Sequence, residues 1–274
     1  MTARRTAFFI SDRTGITAEM LGHSLLTQFD ELTFNRVTLP FVDSVEKAQH
    51  AMAKVNQAAL EDGARPLVFC TLMNEQVRAV IGGMNAQILD LFERFIVPLE
   101  NELGMKSSHT VGRSHSAANY QAYTQRIDAV NYTLAHDDGM TTRNLAEADV
   151  ILVGVSRSGK TPTCLYMALQ HGVKAANFPL VAEDLEHMKL PIALAHHRQK
   201  LYGLSIRPER LSQIRTERKR DSRYAALVNC RFEVEAAEAL LRQQGIPFLD
   251  STTMSIEEIA THVLHEGRLT RQVY

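Results

Sequence analysis

The sequence predicts an α/β fold: an N-terminal Rossmann-like parallel-sheet region followed by a P-loop kinase-like α/β region. Short β-branched or aromatic runs alternate with longer segments of helical spacing, the alternation persists from one end of the 274 residues to the other, and one junction between an apolar run and a helix carries a glycine-rich phosphate-loop pattern. A βαβ series of this kind favours a mostly parallel sheet covered on both faces. The first strand is expected over residues 5–10; the apolar stretch there runs straight into Asp12 and Arg13, too short for a signal-peptide core. Further strands are expected over 34–41 and 66–72, with helical spacing over 45–60 between them. Residues 85–103 read as one long amphipathic helix, followed by a polar stretch over 104–119 rich in Ser, His and Gly, so the domain boundary is drawn there: 1–110 and 111–274. Strands at 148–155, 175–181, 201–206 and 247–251 complete the pattern, with a helix over 161–169. Ser255-Ile-Glu-Glu258 has capping-box form and opens a final helix to about Glu266. No internal repeat is evident.

Composition excludes several classes. Hydrophobic residues make up 45% of the chain and the net charge is −1, which excludes disorder and argues against a wide nucleic-acid-gripping surface. The longest apolar run, around residues 148–155, is far short of a membrane span. Three cysteines without close spacing suggest neither a disulfide framework nor a zinc pair, and a reducing cytoplasm fits best.

The chemistry concentrates at Gly154-Val155-Ser156-Arg157-Ser158-Gly159-Lys160-Thr161, which matches the Walker A pattern. Glycines let the backbone approach phosphate oxygens, and the helix N-terminus adds partial positive charge. Lys160 would bridge the terminal phosphates and Thr161 would hold Mg²⁺, with Pro162 tolerated in the first turn of the helix. Phosphoryl transfer also needs a carboxylate for the metal and a base for a hydroxyl acceptor; His136-Asp137-Asp138-Gly139 supplies both kinds of group, with Asp138 the metal candidate. The bland alternative is an exposed turn with Asp137 capping a helix. Asp12 follows the first strand at the carboxyl end, where ligands bind, or else sits in a simple helix-start loop capped by Thr17. The basic stretch 207–223 places Arg215 and Arg218 three apart on one helix face, suited to neutralising phosphoryl charge, although such runs are also ordinary solvated faces. His196 and His197 are adjacent and cannot chelate one ion together, and Cys164 reads as a small core residue.

Taken together, the 154–163 segment, Asp12-Arg-Thr-Gly-Ile-Thr-Ala-Glu19, His136-Asp-Asp-Gly139, Asn177-Phe-Pro-Leu-Val181, Ile214-Arg215 with Arg218, and Ser255-Ile-Glu-Glu-Ile-Ala260 resemble the family of bacterial regulatory proteins of phosphoenolpyruvate synthase and of pyruvate, phosphate dikinase. Residues 205–210 look more like the synthase branch, and Ser158 stands where the family commonly has Thr. The resemblance implies a bifunctional enzyme. As a kinase it would move the β-phosphate of ADP to a threonine of phosphoenolpyruvate synthase, near that target's catalytic histidine, inactivating it and releasing AMP. As a pyrophosphorylase it would return that phosphate to inorganic phosphate, giving pyrophosphate. In this reading Gly154 to Thr161, Arg215 and Arg218 bind the nucleotide, Lys160 with Asp137 or Asp138 is catalytic, and Thr161 with Asp138 holds Mg²⁺. The expected partner is the synthase, without nucleic acid or membrane, and the expected assembly is a homodimer. An ATP-dependent small-molecule kinase and a non-catalytic ADP-sensing regulator are the alternatives.

Overall fold

A computed structural model describes residues 4–108, 120–219, 222–267 and 269. The chain forms two compact units, Met1–Ser116 and Ala117–Tyr274. The expected boundary between residues 110 and 111, most of the polar stretch before residue 120, and Arg220 with Asp221 of the basic stretch lie outside the described residues.

In the N-terminal unit, strands β1 (Arg4–Ser11), β2 (Thr33–Leu39), β3 (Leu67–Thr71) and β4 (Gln87–Asp90) form a parallel sheet in the order β2-β1-β3-β4. The period-2 alternation of β1 sends Phe8 and Ile10 to one face and Ala7 and Phe9 to the other. The first pair packs against helices α2 (Val45–Asp62) and α3 (Glu75–Gly82); the second packs with Ala18 and Leu26 of α1 (Ile16–Leu26) and Leu91 of α4 (Leu91–Leu103).

The single long helix expected over 85–103 is corrected here. Its first part is strand β4, paired with β3 in the register Leu67↔Gln87, and Asp90 starts the helix by accepting from the Phe92 and Glu93 amides at 3.1 and 3.0 Å. The carboxylate satisfies orphan amides of the first turn, which fixes the junction. Thr17 is not the cap of α1 either: Gly15, at φ 82°, takes the N-cap position without a side-chain bond.

In the C-terminal unit, β5 (Val150–Gly154), β6 (Ala175–Pro179), β7 (Leu201–Ser205) and β8 (Phe248–Asp250) are parallel, in the order β6-β5-β7-β8. Val150 and Leu152 face Cys164 and Met167 of α6 (Lys160–His171) and Ile259 and Val263 of the last helix, which runs Ile256–Glu266. Ile151 and Val153 face the opposite layer, with Tyr132 of α5 (Tyr120–Ala135) and Leu241 of a helix over Leu227–Gln244. Every residue of β5 is buried, as a central parallel strand requires. The seven expected strands all form, each within two residues of its expected ends, and the Ser255 capping box closes in both directions, at 3.2 and 2.7 Å.

The two units repeat one topology, which the sequence reading misses. In both, the first strand is central, the next pairs on one side and the remaining two lie on the other. The loop after each central strand reads Arg-Ser/Thr-Gly-x-Thr: Arg13 to Thr17 in the first unit, Arg157 to Thr161 in the second. Gly15 and Gly159 both take the helix N-cap position at positive φ, 82° and 94°. The chemistry has diverged: Ile16, half-exposed, stands where the second unit has Lys160, and Asp12 stands where it has Ser156.

Candidate active site

β5 and β7 are parallel neighbours whose onward connections run to opposite sides of the sheet, and this switch in strand order leaves a crevice at their carboxyl ends, where open α/β sheets bind ligands. Gly154 leaves the sheet at φ 153°, and a Cβ there would stand 2.2 Å from the Leu204 carbonyl of β7, so only glycine allows the loop this course. Residues 154–159 then curl into the N-terminus of α6, with Pro162 in its first turn.

Lys160 is the first residue of α6 and is buried, at 4% exposure. Its Nζ donates to the Gly154 and Val155 carbonyls at 3.0 and 2.9 Å. Burial pulls the ammonium down to about 8, against the opposing pull of the Asp138 and Asp137 carboxylates. The free protein therefore carries this charge below about pH 8 and loses it above. Affinity for inorganic phosphate is therefore expected to fall as pH rises through about 8, measured by calorimetric titration between pH 6.5 and 9.5, and the decline should be absent from Lys160→Met.

The Thr161 hydroxyl donates to Asp137 Oδ1 at 2.8 Å. Asn177 of β6, buried in the sheet, donates its Nδ2 to the same oxygen and accepts the Asp138 amide at 3.0 Å. One amide side chain thus fixes both aspartates. The tight 3-10 turn Asp137–Gly139 places Asp138 at φ 48°, a left-handed conformation that a non-glycine residue adopts at some cost. His136 is buried beside it, with Nδ1 and Nε2 each 2.7 Å from a backbone carbonyl, of Tyr132 and Arg143, and its ring stacked on Tyr132 at 3.9 Å. Both ring nitrogens are engaged in holding the turn.

These groups line a cavity of about 770 Å³, whose walls include Asp137, Asp138, Ser156, Arg157, Lys160 and Thr161. Arg218 at the end of the helix Pro208–Arg218, Lys219 just after it and Tyr224 also line the cavity. Four cations against two carboxylates suit a polyanionic ligand held beside a hard oxygen donor set. Arg215 and Arg218, expected on one face, separate: Arg218 reaches the cavity, while Arg215 is buried at 1% exposure and absent from its walls. Its guanidinium donates to the Glu233 carboxylate at 2.6 Å, to the Ser156 carbonyl at 3.1 Å and to the Tyr224 carbonyl at 3.0 Å, and lies on the Tyr224 ring at 4.0 Å. Tyr224 also meets the Ser156 hydroxyl at 3.0 Å. Thr161 pairs with Asp137, not with the Asp138 that the sequence reading paired with it for the metal. Cys164 is a core residue, its Sγ donating to the Ala176 carbonyl at 3.5 Å. Asp12 belongs to the N-terminal unit, where its carboxylate accepts the Met73 amide at 3.1 Å.

Three contributors carry no role in the sequence reading: Asn177, Tyr224 and Glu233. Asn177 leaves a signal, a polar side chain in the middle of an otherwise apolar strand, directly after buried Ala175 and Ala176. Glu233 leaves none, since it sits among other acids in a long helix and is marked by its contacts with Arg215 and Asn229.

A model of the Kinase/pyrophosphorylase family matches residues 7–264. Proteins named "Putative phosphoenolpyruvate synthase regulatory protein" from Burkholderia multivorans and Burkholderia ambifaria are each 58% identical to this chain over 269 residues, which is 98% of its length and 99% of theirs. The protein of that name from Paraburkholderia xenovorans is 57% identical over the same extent. With the match running through the 154–161 loop, the Asp137–Gly139 turn and both sheets, this chain belongs to the Kinase/pyrophosphorylase family.

Proposed function

We propose that this chain regulates phosphoenolpyruvate synthase by reversible phosphorylation: ADP-dependent transfer to a threonine of the synthase, which inactivates it and releases AMP, and phosphate-dependent removal, which restores it and releases pyrophosphate. The observation that carries the reading is the convergence of Lys160, Thr161, Asp137 and Asp138 on one cavity at the carboxyl end of β5. In the forward direction the threonine oxygen attacks the β-phosphorus, the bond from that phosphorus to the bridging oxygen of AMP breaks, and the hydroxyl proton goes to a carboxylate. Asp138 is the acceptor we assign, because Asp137 is already engaged by Thr161 and Asn177. In the reverse direction an oxygen of inorganic phosphate attacks the phosphothreonine phosphorus and Asp138 returns the proton to the leaving threonine oxygen. Both directions use one phosphate cradle, with Lys160 and Arg218 neutralising charge on the transferred group.

A hydroxyl and a carboxylate meeting at 2.8 Å are a hard oxygen pair that fits Mg²⁺, so Thr161 and Asp137 would hold it, the remaining positions falling to phosphates and water. When bound, the ion would offset negative charge on the phosphates. None of the described helices is long and apolar enough to cross a membrane, and we assign the protein to the cytoplasm with its target.

Label transfer tests the reading. With Mg²⁺, ADP labelled on the β-phosphate and synthase pre-incubated with phosphoenolpyruvate, label should reach a synthase threonine as AMP appears, and added phosphate should strip it as pyrophosphate. Transfer only from ATP to a small acceptor would make the protein a small-molecule kinase. ADP binding without any transfer would make it a nucleotide-sensing regulator.

A further inference from the structure

The loop that would hold phosphate is braced from outside at alternate peptides. The Ser156 carbonyl accepts from Arg215 at 3.1 Å, and the Ser158 carbonyl lies 3.0 Å from the Ser251 hydroxyl, just beyond β8. The Ser205 carbonyl, which receives the Ser251 amide at 2.9 Å, is also 2.9 Å from that hydroxyl, so the hydroxyl ties the Ser158 carbonyl to the end of β7, its one hydrogen shared between the two carbonyls. A trans peptide aims its carbonyl and its N–H in opposite directions. Turning the Ser156 carbonyl outward therefore turns the Arg157 N–H inward, and turning the Ser158 carbonyl outward does the same for the Gly159 N–H. Neither amide has a hydrogen-bond partner among the described residues, whereas the intervening Ser158 amide bonds back to the Val155 carbonyl. Arg157 and Gly159 both have positive φ, 78° and 94°, the alternation that makes successive amides converge on an anion.

We infer that Arg215 and Ser251 are positioning residues that hold two alternate peptides of the 154–161 loop, so that the Arg157 and Gly159 amides converge on the phosphate that is transferred. The inference rests on the proposed function for the identity of that anion. Arg215 is suited to bracing rather than to meeting phosphate. Its charge is matched by Glu233 at 2.6 Å, it is sealed from the cavity, and the planar fork reaches Ser156, Tyr224 and Glu233 at once. A lysine could not span those partners. The brace also ties the loop to two elements distant in sequence, the helix over Leu227–Gln244 and the turn after β8, so the cradle is set by the packing of the unit and not by the glycines alone.

Titration calorimetry of the full chain with inorganic phosphate and, separately, with ADP tests this, alongside the ¹⁵N–¹H resonance of the Gly159 amide. Ser251→Ala should weaken both ligands about tenfold, the equivalent of one hydrogen bond of about 1.4 kcal/mol. It should also reduce the shift of the Gly159 amide on phosphate addition while leaving the melting temperature near wild type. Ser251→Thr, which keeps the hydroxyl, should restore both. Arg215→Lys should weaken phosphate at least as much. Ser251→Ala with wild-type affinity and a wild-type Gly159 shift would overturn the inference and leave the proposed function standing. A wild-type protein that binds neither ADP nor phosphate would overturn both together.

Discussion

Lys160→Met is expected to lose both directions of transfer by about two to three orders of magnitude in kcat/KM, the scale set by removal of a preorganised cation from developing charge. In the free protein the ammonium is held by the Gly154 and Val155 carbonyls and the side chain is buried. That position is a resting one. A phosphate entering the cavity offers the ammonium charged oxygens in place of neutral carbonyls, a stronger type of contact. Methionine keeps the length and most of the volume, so the packing around α6 should survive, but the two carbonyls lose their donor at about 1–3 kcal/mol if water does not replace it. Measuring melting temperature beside kinetics separates the two costs. The loss should be parallel in the ADP-dependent and the phosphate-dependent assays. If one direction fell while the other held near wild type, two separate phosphate sites would be required and the single-cradle reading would be wrong.

Much of this was legible in the sequence, for identifiable reasons. The strands around Val150 and Leu201 announce themselves because a parallel strand buried on both faces reads as a nearly continuous apolar run. The glycine-rich strand-to-helix loop over 154–161 is legible because its residues are next to each other in the chain. Strand β4 was not: four residues are too short to show a period, and Ile88 and Leu89 extend the helical spacing of the residues that follow. Arg215 was legible as a cation but not as a brace. Its role depends on Glu233, 18 positions on, and on Ser156, 59 positions back, contacts made by packing alone. The repeat was hidden because strand order leaves no trace in sequence, and the shared Arg-Ser/Thr-Gly-x-Thr is short enough to pass as chance until Gly15 and Gly159 prove to hold equivalent backbone positions.

The two adjacent aspartates should separate by role when each is changed to asparagine. Asp137 Oδ1 accepts from both Thr161 and Asn177, so Asp137→Asn, with its amide oxygen in that place, keeps the acceptor for both donors and removes the negative charge. The expected result is a higher Mg²⁺ requirement together with a fall in kcat of about a hundredfold or more. Nucleotide affinity measured without metal should change little, because the cations of the loop and Arg218 are untouched. Asp138 lines the same cavity on a strained turn whose backbone is pinned by Asn177, and its carboxylate is the acceptor assigned to the hydroxyl proton. Asp138→Asn should therefore lower kcat by about 10²–10⁴ in both directions with the Mg²⁺ requirement unchanged. Asn177→Ala should produce a weaker mixture of the two phenotypes, since it frees one carboxylate and one turn at once. Mg²⁺ titrations of kcat for the three variants decide the assignment. Exchanged phenotypes, with the metal requirement following Asp138, would transfer the proton to Asp137 and return the metal role to Asp138, the residue that the sequence alone pairs with Thr161.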